Sequence, residues 1–419
     1  MTSEHVQRVY FWLLLLQTLA VSLIWGVNTL FLLDAGLSIT EAFVANGAFT
    51  AGMVLFEVPT GVVADAAGRR VSFILGAVTL LVTTVGYFGL WFVEAGVWWW
   101  ILVSVLIGLG FTFFSGATEA WLVDALEATG FDGPIEHVFG RGQTVIGVAT
   151  LFGTIGGGFL AQISLGVPYI ARSAILVVVI AAAFIWMHDI GHTPKRGIPI
   201  REGVRTILKN SIEHGLKNPP VRMFMFGAPF AAGVYIWVFY AFQPYLLELF
   251  GDPNAIYLSG IAAGVFSIAQ IMGGSAVMRA RRLFKKRTGL IAGEVVIGAT
   301  ALVGVGLADR LPIPVGFWVA ILLLTAMATL WSLSTPMQQA YMNAVIPSEN
   351  RATVLSFASL MGNAGGVISQ PALGKVADVY SFGVGYIVAG VVFVLRFPFV
   401  LAIRRMDLDA DQIENQLNA

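Results

Sequence analysis

The sequence predicts an all-α membrane protein: about twelve transmembrane helices in two six-helix pseudo-repeat bundles. Three observations carry this. Of 419 residues, 57% are hydrophobic and 11% charged, against roughly 25% charged in a soluble domain, so the chain needs lipid as part of its solvent. Its apolar residues fall in long unbroken runs, unlike the short alternating segments of a membrane β-barrel. And one glycine pattern recurs at the same relative place in both halves of the chain.

The apolar runs lie at roughly 10–33, 40–64, 71–93, 97–121, 140–165, 168–187, 222–248, 256–279, 289–308, 313–337, 353–372 and 383–403. Each can cross about 30 Å of hydrocarbon at about 1.5 Å per residue. The first, Tyr10 to Leu33, exceeds a signal-peptide core and has no small-residue cleavage pattern behind it, so it is expected to stay as the first span. Lys and Arg number 24, as do Asp and Glu. Zero net charge argues against nucleic acid as a partner. The absence of cysteine excludes disulfides, thiol nucleophiles and thiolate metal sites, and no metal or cofactor is expected.

Orientation follows from the basic residues. With the N-terminus in the cytoplasm, the inner side collects Arg8, Arg69, Arg70, Arg141, the basic residues of 195–222 and 279–287, Arg351, Arg404 and Arg405. Arg172, Arg310 and Lys375 fall elsewhere, and Arg396 lies within the last span. The outer loops carry Asp34, Glu41, Glu94, Glu248 and Asp252. The acidic loop 122–139 breaks the trend, but acidic residues weigh little in the rule. A multi-pass protein of the inner (cytoplasmic) membrane with both termini cytoplasmic is expected.

The expected domains are a six-helix bundle at 1–187, a cytoplasmic linker at 188–221, a second bundle at 222–405 and an acidic tail at 406–419. In the linker, Ile200, Val204, Ile207, Leu208, Ile212 and Leu216 recur at helical spacing between Arg201, Arg205, Lys209 and Lys217. That predicts an amphipathic helix on the membrane surface, ended by Pro219 and Pro220. It serves either as a tether or as a regulatory element. His188, His192 and His214 nearby read as solvated groups.

The repeat is Thr144-Val145 followed by Gly153, Gly156 and Gly157, matched by Thr353-Val354 followed by Gly362, Gly365 and Gly366. These fall in spans five and eleven. Glycines of this kind let helices approach closely, and paired halves place a solute site at their interface. Glu57 and Gly61 in span two align more weakly with Gln270 and Gly274 in span eight.

Between spans two and three stands Gly61-Val-Val-Ala-Asp65-Ala-Ala-Gly68-Arg69-Arg70. This resembles the signature loop of the major facilitator superfamily, departing at Ala66, where the family usually has Arg. Glu57-Val-Pro59-Thr60 and Ile346-Pro347-Ser348-Glu349-Asn350-Arg351 also resemble its bacterial members. Gly61 and Gly68 would allow a tight turn, Asp65 would accept from a helix N-terminus, and Arg69 would offer donors to a carboxylate, with Asp124 the natural partner. The resemblance implies that this cluster latches the cytoplasmic face. Many proton antiporters of the family carry Arg deep in span four; this chain has Ser104 there.

A charge inside a span costs about 2.5–3.5 kcal/mol or more and needs a use. Glu57 and Glu119 could carry coupling protons, since burial tunes a carboxylate, or could pair with Arg141 or Arg69 in the latch. Glu294 reads as a structural or lipid-interface group, and Arg396 as one that snorkels to the inner headgroups. Candidate cavity-lining residues on spans one, four, seven and ten are Trp25, Asn28, Thr112, Ser115, Tyr235, Trp237, Tyr240, Gln243, Trp331 and Ser334. This sparse, aromatic lining suits an amphipathic or lipophilic solute.

The expected function is alternating-access secondary transport: proton-coupled export of such a small molecule by a monomer among membrane lipids, in the manner of drug/proton antiporters. The alternatives are an importer or facilitator of a small polar solute, or a transporter-like receptor or scramblase. Neither an ATP-binding loop nor a histidine metal cluster is present to suggest an enzyme.

Overall fold

The computed structural model describes residues 2–191, 205, 209 and 211–413. Among them the chain forms twelve spans: Ser3–Ser22 with Asn28–Asp34, Ile39–Ala67, Arg69–Phe92, Val97–Phe114 with Ala117–Ala128, Ile135–Ile163, Val167–Trp186, Pro219–Phe250, Tyr257–Leu283, Arg287–Gly306, Val315–Val345, Arg351–Val379, and Phe382–Val394 with Phe397–Arg405. Ten are long and apolar enough to be membrane spans on those grounds alone; the broken first span and Arg351–Val379 are not. Several helices run past their apolar windows. Span seven, at 32 residues, is about 48 Å long, against about 30 Å of hydrocarbon.

Local chemistry sets the ends. The Thr2 hydroxyl caps span one by accepting from the His5 N–H, and Ser381 caps span twelve by accepting from the Val384 N–H at 3.1 Å. The helical turn ahead of Pro219 and Pro220 stops at Leu216, as expected. The two prolines open span seven at its first turn, where a missing N–H costs nothing. The rest of the predicted amphipathic helix, including Ile200, Arg201, Val204, Ile207 and Leu208, lies outside the described residues. The described part ends in a short π-helical turn, Ile212–Leu216.

Three spans are discontinuous. Span one unwinds over Leu23–Val27, span four breaks at Ser115–Gly116, and span twelve breaks at Leu395–Arg396. Large apolar side chains such as Phe92, Trp98, Trp99, Trp318 and Ile368 remain exposed, as lipid-facing surface should.

The chain divides into two compact units: Met1–Leu37, Ala48–Val204 and Ala255–Gly264 form one, and Ser38–Gly47, Arg205–Asn254 and Val265–Ala419 the other. The first unit thus contains the opening turns of span eight. There the Tyr257 N–H donates to Gln162 at 3.2 Å, and a Cβ on Gly260 would lie 2.6 Å from the Cα of Gly158. The second unit contains the opening turns of span two. Thr40 donates to Asp378 at 2.6 Å, and Gln370 donates to the Asn46 carbonyl at 3.2 Å.

Residues 406–413 of the acidic tail are docked on the second unit. Asp411 is fully buried and accepts from both the backbone N–H (2.8 Å) and the hydroxyl (2.7 Å) of Thr288 at the start of span nine. It acts there as an anionic cap. Ile413 packs against Ala280, Leu290 and Met337, and Lys286 pairs with Asp407. Through that hydrogen bond, Lys286 holds the Asp407 carboxyl below the usual carboxylate range.

Candidate functional site

Span two runs to Ala67 and span three starts at Arg69, so the whole connection is Gly68. Its φ of +108° suits glycine, and a Cβ there would stand 2.3 Å from an Asp189 carboxylate oxygen. That carboxylate accepts the Arg70 backbone N–H at 2.8 Å, as an anion at a helix N-terminus should. Asp65 forms an ion pair with Arg69 one turn on, Nη1 to Oδ1 2.7 Å, and the Arg69 Nε lies 3.6 Å from Asp124. Arg70 donates to the Phe184 carbonyl at 2.7 Å and lies over the Phe184 ring. The ends of spans two, three and four and the segment just past span six are thereby tied together. Asp189 was missed from the sequence; its signal is an acid just beyond an apolar run on the motif's own side. Gly61 makes no turn: it lies inside span two with nothing within 4 Å of a Cβ.

Glu57 is half-buried two residues before Pro59, within span two, and accepts from the Ser115 hydroxyl at 2.8 Å. Ser115 sits at the break in span four, just before Gly116, whose φ is +71°. Close packing holds the two spans in register. A Cβ on Gly52 would stand 2.3 Å from the Val105 carbonyl oxygen, and one on Gly108 2.5 Å from that of Phe49. Glu119 is exposed rather than buried. Arg141 pairs with neither carboxylate among the described contacts; its guanidinium lies 4.8 Å over the Phe11 ring. Ser104 is fully buried and bonded to Tyr87.

The candidate lining residues divide. Trp25, Tyr240, Tyr235 and Trp331 are half-buried, and the last two stack at 4.5 Å. Ser115 is exposed. Trp237 and Gln243 have no accessible surface. Trp237 packs edge-on against Tyr386, and Gln243 turns back on its own helix toward the Phe239 carbonyl, so both belong to the packed interior and do not line a cavity. Asn28 and Thr112 are buried too, Asn28 accepting from the Tyr169 hydroxyl at 2.9 Å.

The repeated glycines sit against the first helix of their own half. A Cβ on Gly153 would strike the Ser22 hydroxyl at 1.9 Å, one on Gly157 the Leu23 carbonyl oxygen at 1.8 Å, and one on Gly365 that of Pro229 at 2.3 Å. Gly362 has more room, 3.2 Å from the Ala232 methyl, and Gly366 is buried. Gly156 faces open space, so its expected packing role falls away; Gly158, against Gly260, takes such a role instead.

The largest departure from expectation is in the second unit. Arg396 does not snorkel, and Glu294 does not face lipid. Both are buried, at 6% and 3% exposure, and Arg396 donates to Glu294 at 2.9 Å and to Gln338 at 2.6 Å.

The sequence model of the Major Facilitator Superfamily matches residues 10–369. The chain belongs to this superfamily. An uncharacterised MFS-type transporter of Bacillus subtilis (strain 168), YxaM, is 21% identical over 392 residues, covering 92% of each chain. Among solved structures, the nucleoside transporter NupG is similar at a TM-score of 0.76 and 12% identity, covering 96% of this chain and 99% of that one. A bacterial homologue of the human lysosomal transporter Spinster, inward-facing and unoccupied, gives 0.70 at 17%, covering 98% of each. A D-xylose–proton symporter gives 0.67 at 15%, covering 95% and 96%. At these identities the structures speak for the fold. The superfamily is one of membrane transporters, and transport is the coarse function of this chain.

Proposed function

We propose that this transporter is a proton-coupled secondary transporter, monomeric in the inner membrane, that exports a lipophilic or amphipathic small molecule by alternating access. The observation that carries the reading is the Asp65–Arg69–Asp124 cluster with its glycine connection. Ion pairs between partly exposed groups are weak enough to open and close within a transport cycle. Glu57, hydrogen-bonded across to the break in span four, is the proposed coupling carboxylate. The bundles 1–187 and 222–405 are the proposed moving bodies, joined by the linker 188–221. The collection of Arg and Lys on one side supports cytoplasmic termini. Because the chain has no cysteine, Arg205→Cys tests that orientation cleanly; ready labelling by an impermeant thiol reagent in intact cells would overturn it.

Transport is tested in proteoliposomes under an imposed pH gradient, with ethidium, 1-naphthoate and uridine as probes. The proposal expects gradient-driven movement of an amphipathic probe, lost in Glu57→Gln while passive exchange remains. Full gradient-driven accumulation by that variant removes Glu57 from coupling. Movement of uridine alone overturns the amphipathic reading.

A second reading, import, is favoured by the buried Glu294–Arg396 pair. A site that takes solute and proton together is driven inward by an inward proton gradient.

A further inference from the structure

Glu294 is the eighth residue of span nine, Arg396 lies nine residues before the end of span twelve, and Gln338 seven before the end of span ten. At about 1.5 Å per residue, all three sit roughly 10–14 Å from the ends of their helices, in a layer where an ionised group is costly. The break at Leu395–Arg396 aims the guanidinium inward, and Gly227 on span seven leaves room for its stem, with a Cβ there 3.4 Å from the Arg396 Cγ. A buried ion pair of this kind adds little stability over well-packed apolar side chains, so its presence asks for a use.

The surroundings suggest one. Span ten presents Trp331, Ser334 and Gln338 three and four residues apart, on one helical face. Trp331 is stacked on Tyr235 of span seven at 4.5 Å and 16° between planes. Tyr235 and Ser334 lie close to the Glu294 carboxylate, and the Ser334 hydroxyl donates to the Trp331 carbonyl at 3.2 Å. Burial is graded: Glu294 and Ser334 are closed off, while Gln338, Tyr235 and Trp331 are partly exposed. Gln338, Tyr235 and Trp331 thus form the accessible part of this layer, with the guanidinium behind the Gln338 amide.

We propose that Arg396, behind Gln338 and the Tyr235–Trp331 stack, binds the carboxylate of an amphipathic monocarboxylic acid, and that Glu294 takes up a proton as it does so. Among the described groups facing Glu294, the charged or titratable ones are Arg396 from span twelve and Tyr235 from span seven; span ten contributes the neutral Ser334 and Gln338. The layer thus balances one negative charge against one positive. A second carboxylate would leave it net negative in a medium that strongly penalises this. When the incoming carboxylate replaces Glu294 on the guanidinium, a proton from water binds the released Glu294 oxygen. The site then holds one neutral acid, one guanidinium and one solute carboxylate, and its net charge stays zero. A phosphate dianion would exceed what one guanidinium balances, so the carboxylate class is preferred.

The inference rests on the proton-coupled reading but not on its direction or on Glu57. The test is isothermal titration of the full-length protein in detergent with 1-naphthoate, in two buffers of different ionisation heat. The expected result is uptake of about one proton per naphthoate bound, affinity falling about tenfold per pH unit above neutrality, and binding of neutral 1-naphthamide at least about tenfold weaker. Glu294→Gln should bind naphthoate without proton uptake and without pH dependence. Should that variant fail to fold, the wild-type proton count still decides, and Trp331→Ala should weaken naphthoate about fivefold or more while leaving the count unchanged. No binding at millimolar naphthoate, binding without proton uptake, or persistent uptake in Glu294→Gln each overturns the site. Ethidium transport without naphthoate binding would sink this site and leave the transport reading standing. Proton-linked naphthoate binding without gradient-driven movement of any probe would do the reverse.

Discussion

Arg69 is shared between two carboxylates, and their unequal exposure predicts an order of effects. Asp65 is 48% exposed at its side chain and Asp124 29%, while Arg69 is 17% exposed. The Asp65 bridge, though short, is therefore screened and is worth about 0.2–1 kcal/mol. Asp65→Asn should shift the equilibrium between latched and unlatched forms about 1.4- to 5-fold. Arg69→Gln loses both ion pairs. Doubling the pairwise figure gives roughly 0.4–2 kcal/mol, or about 2- to 30-fold. A single cysteine at the exposed Ser115 reads the shift, since it lies in the break of span four that the latch holds near span two. Its N-ethylmaleimide labelling rate should rise modestly in Asp65→Asn and several times more in Arg69→Gln. Equal rates in the two variants would refute the shared bridge. Unchanged rates in both would show that Arg69 only sets topology.

Gly157→Ala places a methyl 1.8 Å from the Leu23 carbonyl oxygen and should destabilise the first unit by about 1–3 kcal/mol. Gly156→Ala, facing open space, should gain about 0.5–1 kcal/mol instead. Thermal unfolding followed by tryptophan fluorescence checks both, and equal shifts would overturn the packing assignment. Asp411→Ala removes the cap on Thr288, worth about 0.5–2 kcal/mol, and should speed labelling of a cysteine at position 413 about 2- to 30-fold; no change would show the tail is held by apolar contacts alone. Because Lys286 holds the Asp407 carboxyl below its ordinary range, that pair contributes above about pH 4 and is lost only as pH falls through the lowered value. The tail labelling rate, taken relative to a free cysteine peptide at the same pH to remove the thiolate fraction, should therefore be flat between pH 6 and 8, and a change in that ratio across the window would refute the assignment.

Composition and run length made the spans legible, because lipid solvation leaves no alternative for a chain so poor in charge. The one-residue connection at Gly68 was equally legible in kind, since chemistry within about ten residues defines it. Asp189 was not, because it reaches Gly68 only after four intervening spans have folded. Glu294 and Arg396, 102 residues apart, were misjudged singly for the same reason: each alone is an expensive charge, and their pairing is tertiary information. Trp237 and Gln243 show a second limit. Where a helix is apolar on every side, periodicity does not say which face meets the neighbouring helix. Ser115 stands out for its polarity, but the breaks in spans four and twelve are marked only by short signals, Gly116 and then Arg396 with Pro398, that a reading of long apolar runs passes over.

The carboxylate that completes the start of span nine lies 123 residues further along the chain. At about 5–20 residues per second, some 6–25 s of synthesis separate Thr288 from Asp411. During that interval the Thr288 amide lacks the Asp411 carboxylate, which is tolerable because it stands at the polar end of the helix. The second unit is therefore stitched shut by some of its latest-made residues. A fusion joined directly after Arg405 would discard the stitch, whereas one joined beyond Ile413 would keep it. Expression designs that treat the tail as spare length would thus be altering the order in which the bundle matures, and not merely its surface.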